Sequence, residues 1–353
     1  KELEVGTDVS LNLFQGNCVH TASFSGTYWK RTSDDIIQQA NVSASSGFSN
    51  RVDNLTTISS KGLDLSLDAT MYNSPNVVWN LGVSWEYTNS KIDNSANGLD
   101  IIVGDFALKQ GQSLGIFYGQ TPLHTLGQLE KDGKTPYITS AQQQFYTLVD
   151  GNVVDTRTNN VKLTAADDLS VIGNAYPDFT ASMFNTVTLY KKLTIGFEFD
   201  WVHGNNIYNQ TKQWLYSPAG GSGGAGGISS DFDKQVTVNG KTGAYVNYYQ
   251  SLYNLVKPTS WFVENGSFIR LRDVSVTYDF TSNLNVKWLK RLSITASGRN
   301  LLTFTKYTGL DPENTSAVDT QGNTLSGIGI SKGIDNFGIP NLRSYQLGIN
   351  FGF

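Results

Sequence analysis

The residue types that carry most protein chemistry are few here and scattered. His20, His124 and His203 lie far apart, with neither an H-x-x-x-H nor an H-E-x-x-H spacing to set two imidazoles on one metal. Cys18 is alone, so the chain can form no internal disulfide and no thiolate metal cluster. Asp167-Asp168 and Asp231 with Asp233 are carboxylate pairs, but the full ligand spacing of a calcium loop is missing, and solvated loop charge is the expectation. The stretch 219–227, AGGSGGAGG, lacks the Gly-Lys-Ser/Thr of a phosphate loop and reads as a flexible segment. No Ser/His/Asp arrangement or catalytic carboxylate pair can be assembled. The expectation is a non-enzyme with no cofactor and no metal.

One set of side chains stands out. Trp214, Tyr216, Tyr245, Tyr248, Tyr249, Tyr253 and Trp261 crowd the segment 207–266. Flat amphipathic rings of this kind suit sugar rings, peptides or a protein lid. They would equally serve as the internal packing of a long ordered loop. Internal packing, lid contact and direct substrate contact all remain open for them at this stage.

The elements that must position these residues are strands. Only 16% of the 353 residues are charged and 39% are hydrophobic, against 12% aromatics and 35 glycines. Chains poor in aliphatics and charge but rich in Tyr, Phe, Gly, Ser, Thr and Asn favour strands and turns. The net charge of −4 gives no footprint for nucleic acid. No apolar run is long enough for a transmembrane helix.

A period of two dominates. Leu63, Leu65, Leu67, Ala69 and Met71 alternate with Asp64, Ser66, Asp68 and Thr70. Trp79, Leu81, Val83, Trp85 and Tyr87 do the same, as do Leu193, Ile195, Phe197, Phe199 and Trp201, and then Val274, Val276, Tyr278 and Phe280. The terminal run Tyr345, Leu347, Ile349, Phe351 and Phe353 alternates with Ser344, Gln346, Gly348, Asn350 and Gly352. A soluble sandwich would alternate too. Three features favour a membrane barrel: segments matching a tilted crossing of about 9–11 residues, charges confined to the polar phase, and Trp and Tyr near segment ends. In lipid every backbone group must pair internally, so strands can cross only in a closed barrel.

Nine crossings are expected, near 3–13, 18–31, 61–72, 77–90, 179–190, 192–206, 267–280, 291–303 and 341–353. Short links alternate with long ones near 32–60, 91–178, 207–266 and 304–340, as periplasmic turns and extracellular loops do. Nine is odd, and single-chain bacterial barrels use even numbers. The chain also begins at Lys1 with no leader. It is therefore expected to be the C-terminal portion of a larger barrel.

Several stretches resemble the C-terminal half of the SusC/RagA family of TonB-linked outer-membrane transporters. They are SSKGLDL at 59–65, KQGQSLG at 109–115, IGNAYPDF at 172–179, GSFIRLRDV at 266–274 and SGRNLLTFTKYTGLDPE at 297–313. The resemblance implies an all-β, antiparallel transmembrane β-barrel of 22 strands, of which residues 1–353 would supply about nine. The plug domain and earlier strands would be absent from this chain. It implies import of glycans or peptides across the bacterial outer membrane with a SusD-like surface lipoprotein as lid. Energy would come from TonB-ExbB-ExbD through the absent N-terminal region. A SusC-like barrel kept as a structural or assembly subunit is the alternative. Tyr345, Leu347, Ile349, Phe351 and Phe353 look like the carboxy-terminal signal read by barrel-assembly machinery. Physically, Gly309 and Asp311-Pro312 read as a turn at the rim that anchors a loop.

Overall fold

The computed structural model describes residues 1–12, 18–41, 45, 47, 50–95, 100–158, 160–216, 235–238, 241–244, 258–283, 288–316, 330 and 332–353. Nine long strands form one antiparallel sheet in chain order. They are β1 (Glu2–Leu11), β2 (Cys18–Asn41), β3 (Asn50–Asn73), β4 (Val77–Ser95), β5 (Phe179–Leu189), β6 (Leu193–His203), β7 (Phe268–Asp279), β8 (Arg291–Thr305) and β9 (Ser344–Gly352). All nine expected crossings are present. Among the described residues, β1 pairs only with β2 and β9 only with β8, so the sheet is an open arc of barrel wall.

The register explains why the sequence alternates. One cross-strand row runs Val9, Phe24, Leu67, Val83, Met183, Phe199, Leu271 and Leu302. The adjacent row runs Asp8, Ser25, Ser66, Ser84, Ser182, Asp200, Arg270 and Thr303. Adjacent residues on a strand face opposite sides, so one face of the arc is apolar and the other polar across all of its inner strands. The apolar face meets lipid. Leu3, Val5, Phe24, Leu67, Leu347 and Ile349 stay exposed there, as expected of side chains whose solvent is a hydrocarbon.

Aromatic side chains band both ends of that face. At the upper end Trp201 meets Phe179 edge-on at 4.8 Å, Phe179 stacks on His203 at 4.9 Å, and Trp85 stacks on Tyr87 at 6.3 Å. At the lower end Tyr278 packs on Phe280 and Trp288 on Phe353. Asn185 is the exception in the apolar phase. It is buried, and its side-chain oxygen accepts a 3.1 Å hydrogen bond from the Trp79 indole, which satisfies a polar group held at membrane depth.

One departure from the sequence expectation concerns the long links. The segment 32–60 was expected to be largely loop, but β2 and β3 continue as a paired ribbon to Asn41 and Asn50. Above the membrane the hydrophobic alternation fades while backbone pairing persists, with bulges between Ser33 and Ile37. The described parts of the other long links are folded. Short strands at Ile101–Val103, Phe106–Leu108, Ile116–Gly119 and Ser170–Asn174 make one small sheet; Asn206–Asn209, Val263–Asn265 and Ile334–Asp335 make another. They share a core of Phe106, Leu108, Phe117, Tyr208, Phe262 and Ile334, all fully buried. Each such side chain contributes roughly 1.5–3 kcal/mol on burial, so the three connections stabilise one another as a cap at the extracellular mouth.

Candidate functional site

The polar face is concave. A recess of about 730 Å³ lies along it, walled by Asp64, Ser66, Ser84, Glu86, Ser182 and Asp200, with Arg272 and Glu313 at its upper edge. A second recess of about 610 Å³ sits higher, between the tops of β2–β4 and the cap. Glu86 and Thr180 line both, so the two are continuous. Hydroxyls dominate the lower recess. The Ser84 and Ser182 hydroxyls hydrogen-bond across β4 and β5 at 2.6 Å. Such a surface offers many weak, exchangeable hydrogen bonds and a few fixed charges, suited to passing polar ligands rather than to holding one tightly.

The fixed charges converge at the rim. Arg270, 2% exposed, donates to Asp311 at 2.5 Å and to Glu313 at 2.6 Å. Arg272 donates to Asp200 at 2.5 Å, to Glu313 at 2.8 Å and to the side-chain oxygen of Asn300 at 3.0 Å. Asn300 adopts φ +53° where β7 and β8 shift register, and the bulge frees Arg272 from strict alternation so that it reaches over the recess. Burial of the Asp311 carboxyl works to raise its pKa. The Arg270 guanidinium and the backbone amides of Glu313 and Asn341 overcome this, and the net shift is downward. The turn at 309–313 is thus clamped onto the barrel wall by its two carboxylates.

The upper recess is built by two of the stretches singled out in the sequence. Gly115, at φ +83°, lets the Tyr176 ring lie on its Cα; a Cβ there would come within 2.5 Å of the ring. The Ala175 amide donates to the Gly115 carbonyl at 2.9 Å, and the Tyr176 amide to the Asn174 side chain at 2.9 Å. Lys332 reaches in from the last long connection and sits 5.5 Å from the centre of the Tyr176 ring. Burial lowers the Lys332 pKa, with Glu86 acting against the shift.

The aromatic candidates separate. Trp214 lies exposed on a short helix, Gln210–Tyr216, whose Thr211 and Gln213 are buried. Trp261 packs against the cap core. Tyr245, Tyr248, Tyr249 and Tyr253 lie outside the described residues, as does the side chain of Tyr216. Asp231 and Asp233 lie outside them as well, whereas Asp168 is paired with Lys131 at 2.8 Å and accepts from the Tyr137 hydroxyl. Among the described residues no group of three or more His, Cys, Asp or Glu is placed to hold a metal. Tyr345, Leu347, Ile349, Phe351 and Phe353 line the exposed apolar face of β9.

No family model matches the chain. TonB-dependent receptor P3 of Formosa agariphila is 26% identical over 364 residues, which cover 100% of this chain and 34% of that receptor. TonB-dependent receptor P39 of the same organism is 24% identical over 361 residues, covering 92% and 33%. The chain spans about a third of the length of these relatives. Among solved structures, the RagAB peptide transporter superposes with a TM-score of 0.66 at 19% identity, over 100% of this chain and 35% of that one. The closed-closed state of the RagAB peptide importer gives 0.65 at 18% identity, with 100% and 35% covered.

Over its whole length the chain is similar to TonB-dependent receptors, and its wall has the fold of the RagAB barrel. It belongs to the bacterial outer membrane. In this barrel segment, GSFIRLRDV and the run ending in LDPE are the two halves of one ion-pair clamp, although in the sequence they read as separate motifs. The signal was present: an Arg-x-Arg and an Asp-x-Glu with matching spacing. Lys332 carried no such signal and emerges only from the packing of the cap.

Proposed function

We propose that this segment is the C-terminal part of the barrel of a TonB-driven outer-membrane importer of peptides or glycans, with the plug and the remaining strands carried elsewhere in the same polypeptide. The observation that carries this reading is the continuous polar concave face, with its two linked recesses beneath a folded cap. The curated relatives are named as TonB-dependent receptors, and the RagAB structures as a peptide importer, which favours peptides among the two substrate classes. A SusD-like lipoprotein would close the mouth, with Trp214 and the Tyr-rich stretch 245–253 as its contacts.

The test uses the full-length protein in cells. Deleting residues 217–257 and changing Trp214→Ala should lower co-purification of the lipoprotein severalfold while the barrel remains inserted. Uptake of the imported nutrient should be lost with it. Undiminished co-purification would place the lid contact elsewhere on the cap. Lost co-purification with unchanged uptake would favour the scaffold role.

Assembly provides a second measurement. The alternating apolar residues of β9 end on Phe353, and an unpaired strand edge can be captured by main-chain hydrogen bonds with side chains filling alternate pockets. Phe353→Asp in the full-length protein is expected to reduce its level in the outer membrane severalfold. Wild-type membrane levels would dismiss the assembly role of this terminus.

A further inference from the structure

We infer that the upper recess is a subsite for a carboxylate on the transported ligand, held by Lys332 against the face of Tyr176. This rests on the import reading above and names the group recognised. Lys332 is half-buried at the mouth of the polar track, and among the described residues no carboxylate lies within ion-pair distance of it. Its contact is the Tyr176 ring, a surface that attracts a cation without neutralising it. A partly desolvated ammonium with no ion pair among the described residues gains most from a charge-assisted hydrogen bond, because the cost of its burial is already met by the fold.

The neighbours narrow the ligand. Arg31 lines the same recess and adds a second cation, while Glu86 and Asp178 line it with negative charge. A monoanionic carboxylate can approach Lys332 and leave Glu86 and Asp178 to accept from hydroxyl or ammonium donors on the same ligand. Two sources share this chemistry: the C-terminus of a short peptide and a uronic-acid unit of a glycan. The site is also rigidly prepared. Tyr176 is seated on Gly115, and Asn174, which holds the Tyr176 amide, receives through its own amide a place on the Asn206 side chain at 3.0 Å. Little ordering is then left to be done when a ligand arrives.

The experiment is titration calorimetry on the purified full-length receptor with two probe pairs: a short peptide with a free C-terminus against its C-terminal amide, and an oligogalacturonate against its methyl ester. The acidic member of one pair should bind at least tenfold more tightly than its neutral partner, and the pair that shows this identifies the source. Lys332→Gln should abolish that preference without changing affinity for the neutral probe, and Lys332→Arg should keep most of it. A wild-type receptor with no preference in either pair, including one that binds none of the probes, would overturn the inference. So would a preference that survives Lys332→Gln. TonB-dependent uptake by the same variants separates this from the import reading. A Lys332-dependent preference without uptake leaves the subsite standing and removes import. Uptake with no preference does the reverse.

Discussion

Replacing Arg270 with methionine is expected to release the rim turn at 309–313 from the barrel wall, at a cost of about 3–5 kcal/mol to its seating. The magnitude follows from burial. Arg270 is 2% exposed, and its loss leaves the buried Asp311 carboxylate with no guanidinium. Glu313 keeps Arg272 as a partner at 2.8 Å, so the loss falls mainly on Asp311. Backbone amides of Glu313 and Asn341 still donate to Asp311 at 3.0 and 2.9 Å, which limits the damage to the turn rather than the barrel. Hydrogen exchange reports this directly. The Asn314 and Ser316 amides, bonded to the Asp311 and Ile334 carbonyls, should exchange orders of magnitude faster in Arg270→Met. The pair Arg270→Met with Asp311→Leu should recover part of the protection, because no charge is then left buried alone. Unchanged exchange in the single variant would show that the ion pair does not hold the turn.

The second large effect is set by the sidedness of the wall. Leu67 sits in the apolar cross-strand row, 37% exposed, and pairs with Val83, between the Trp79 and Trp85 levels of β3's partner strand. Leu67→Arg in the full-length barrel should cost about 2–4 kcal/mol of folding stability in lipid vesicles. Ser66→Arg, one residue away on the concave face, should cost a small fraction of that, since its guanidinium can reach water and Asp200 lies in the same row. Leu65 pairs with Trp85 near the upper aromatic band, so Leu65→Arg is expected to cost only about 0–1 kcal/mol. Denaturant unfolding of the three variants should therefore rank Leu67→Arg far below the other two. Equal losses at 66 and 67 would contradict the assignment of faces.

These two expectations draw on different kinds of information. The faces of the wall, the number of crossings and the ends at which long connections lie were legible in the order of residues. The reason is local: a strand repeats every two residues, and lipid on one side and water on the other impose opposite solvation on successive side chains. Leu63 to Met71 and Tyr345 to Phe353 carry that pattern without needing any knowledge of their neighbours. Short turns fix the pairs β1–β2, β3–β4, β5–β6 and β7–β8, and the antiparallel order of the wall joins those hairpins across the long connections. The signal ends where the membrane ends. Above Ser60 the buried positions Thr56, Ile58 and Ser60 still alternate with the half-buried Thr57 and Ser59, but the buried set mixes polar with apolar side chains, so the residue types no longer mark the face.

What tertiary structure alone decided lies in the cap and at the rim. Arg270 and Asp311 are separated by 41 positions, and Lys332 meets Tyr176 across more than 150, through connections whose packing has no period to betray it. The aromatic stretch illustrates the limit: Trp214 and Trp261 looked equivalent in sequence, yet one is exposed on a helix and the other lies against Phe262's core. Composition could say that this segment was rich in rings. Only the shared core of three long loops, formed by contacts far apart in the chain, could say which rings it would enclose. The same core places Lys332 at the mouth, because Ile330 and Ile334 on either side of it are packed among Phe106, Phe117 and Tyr208, which come from the other long connections.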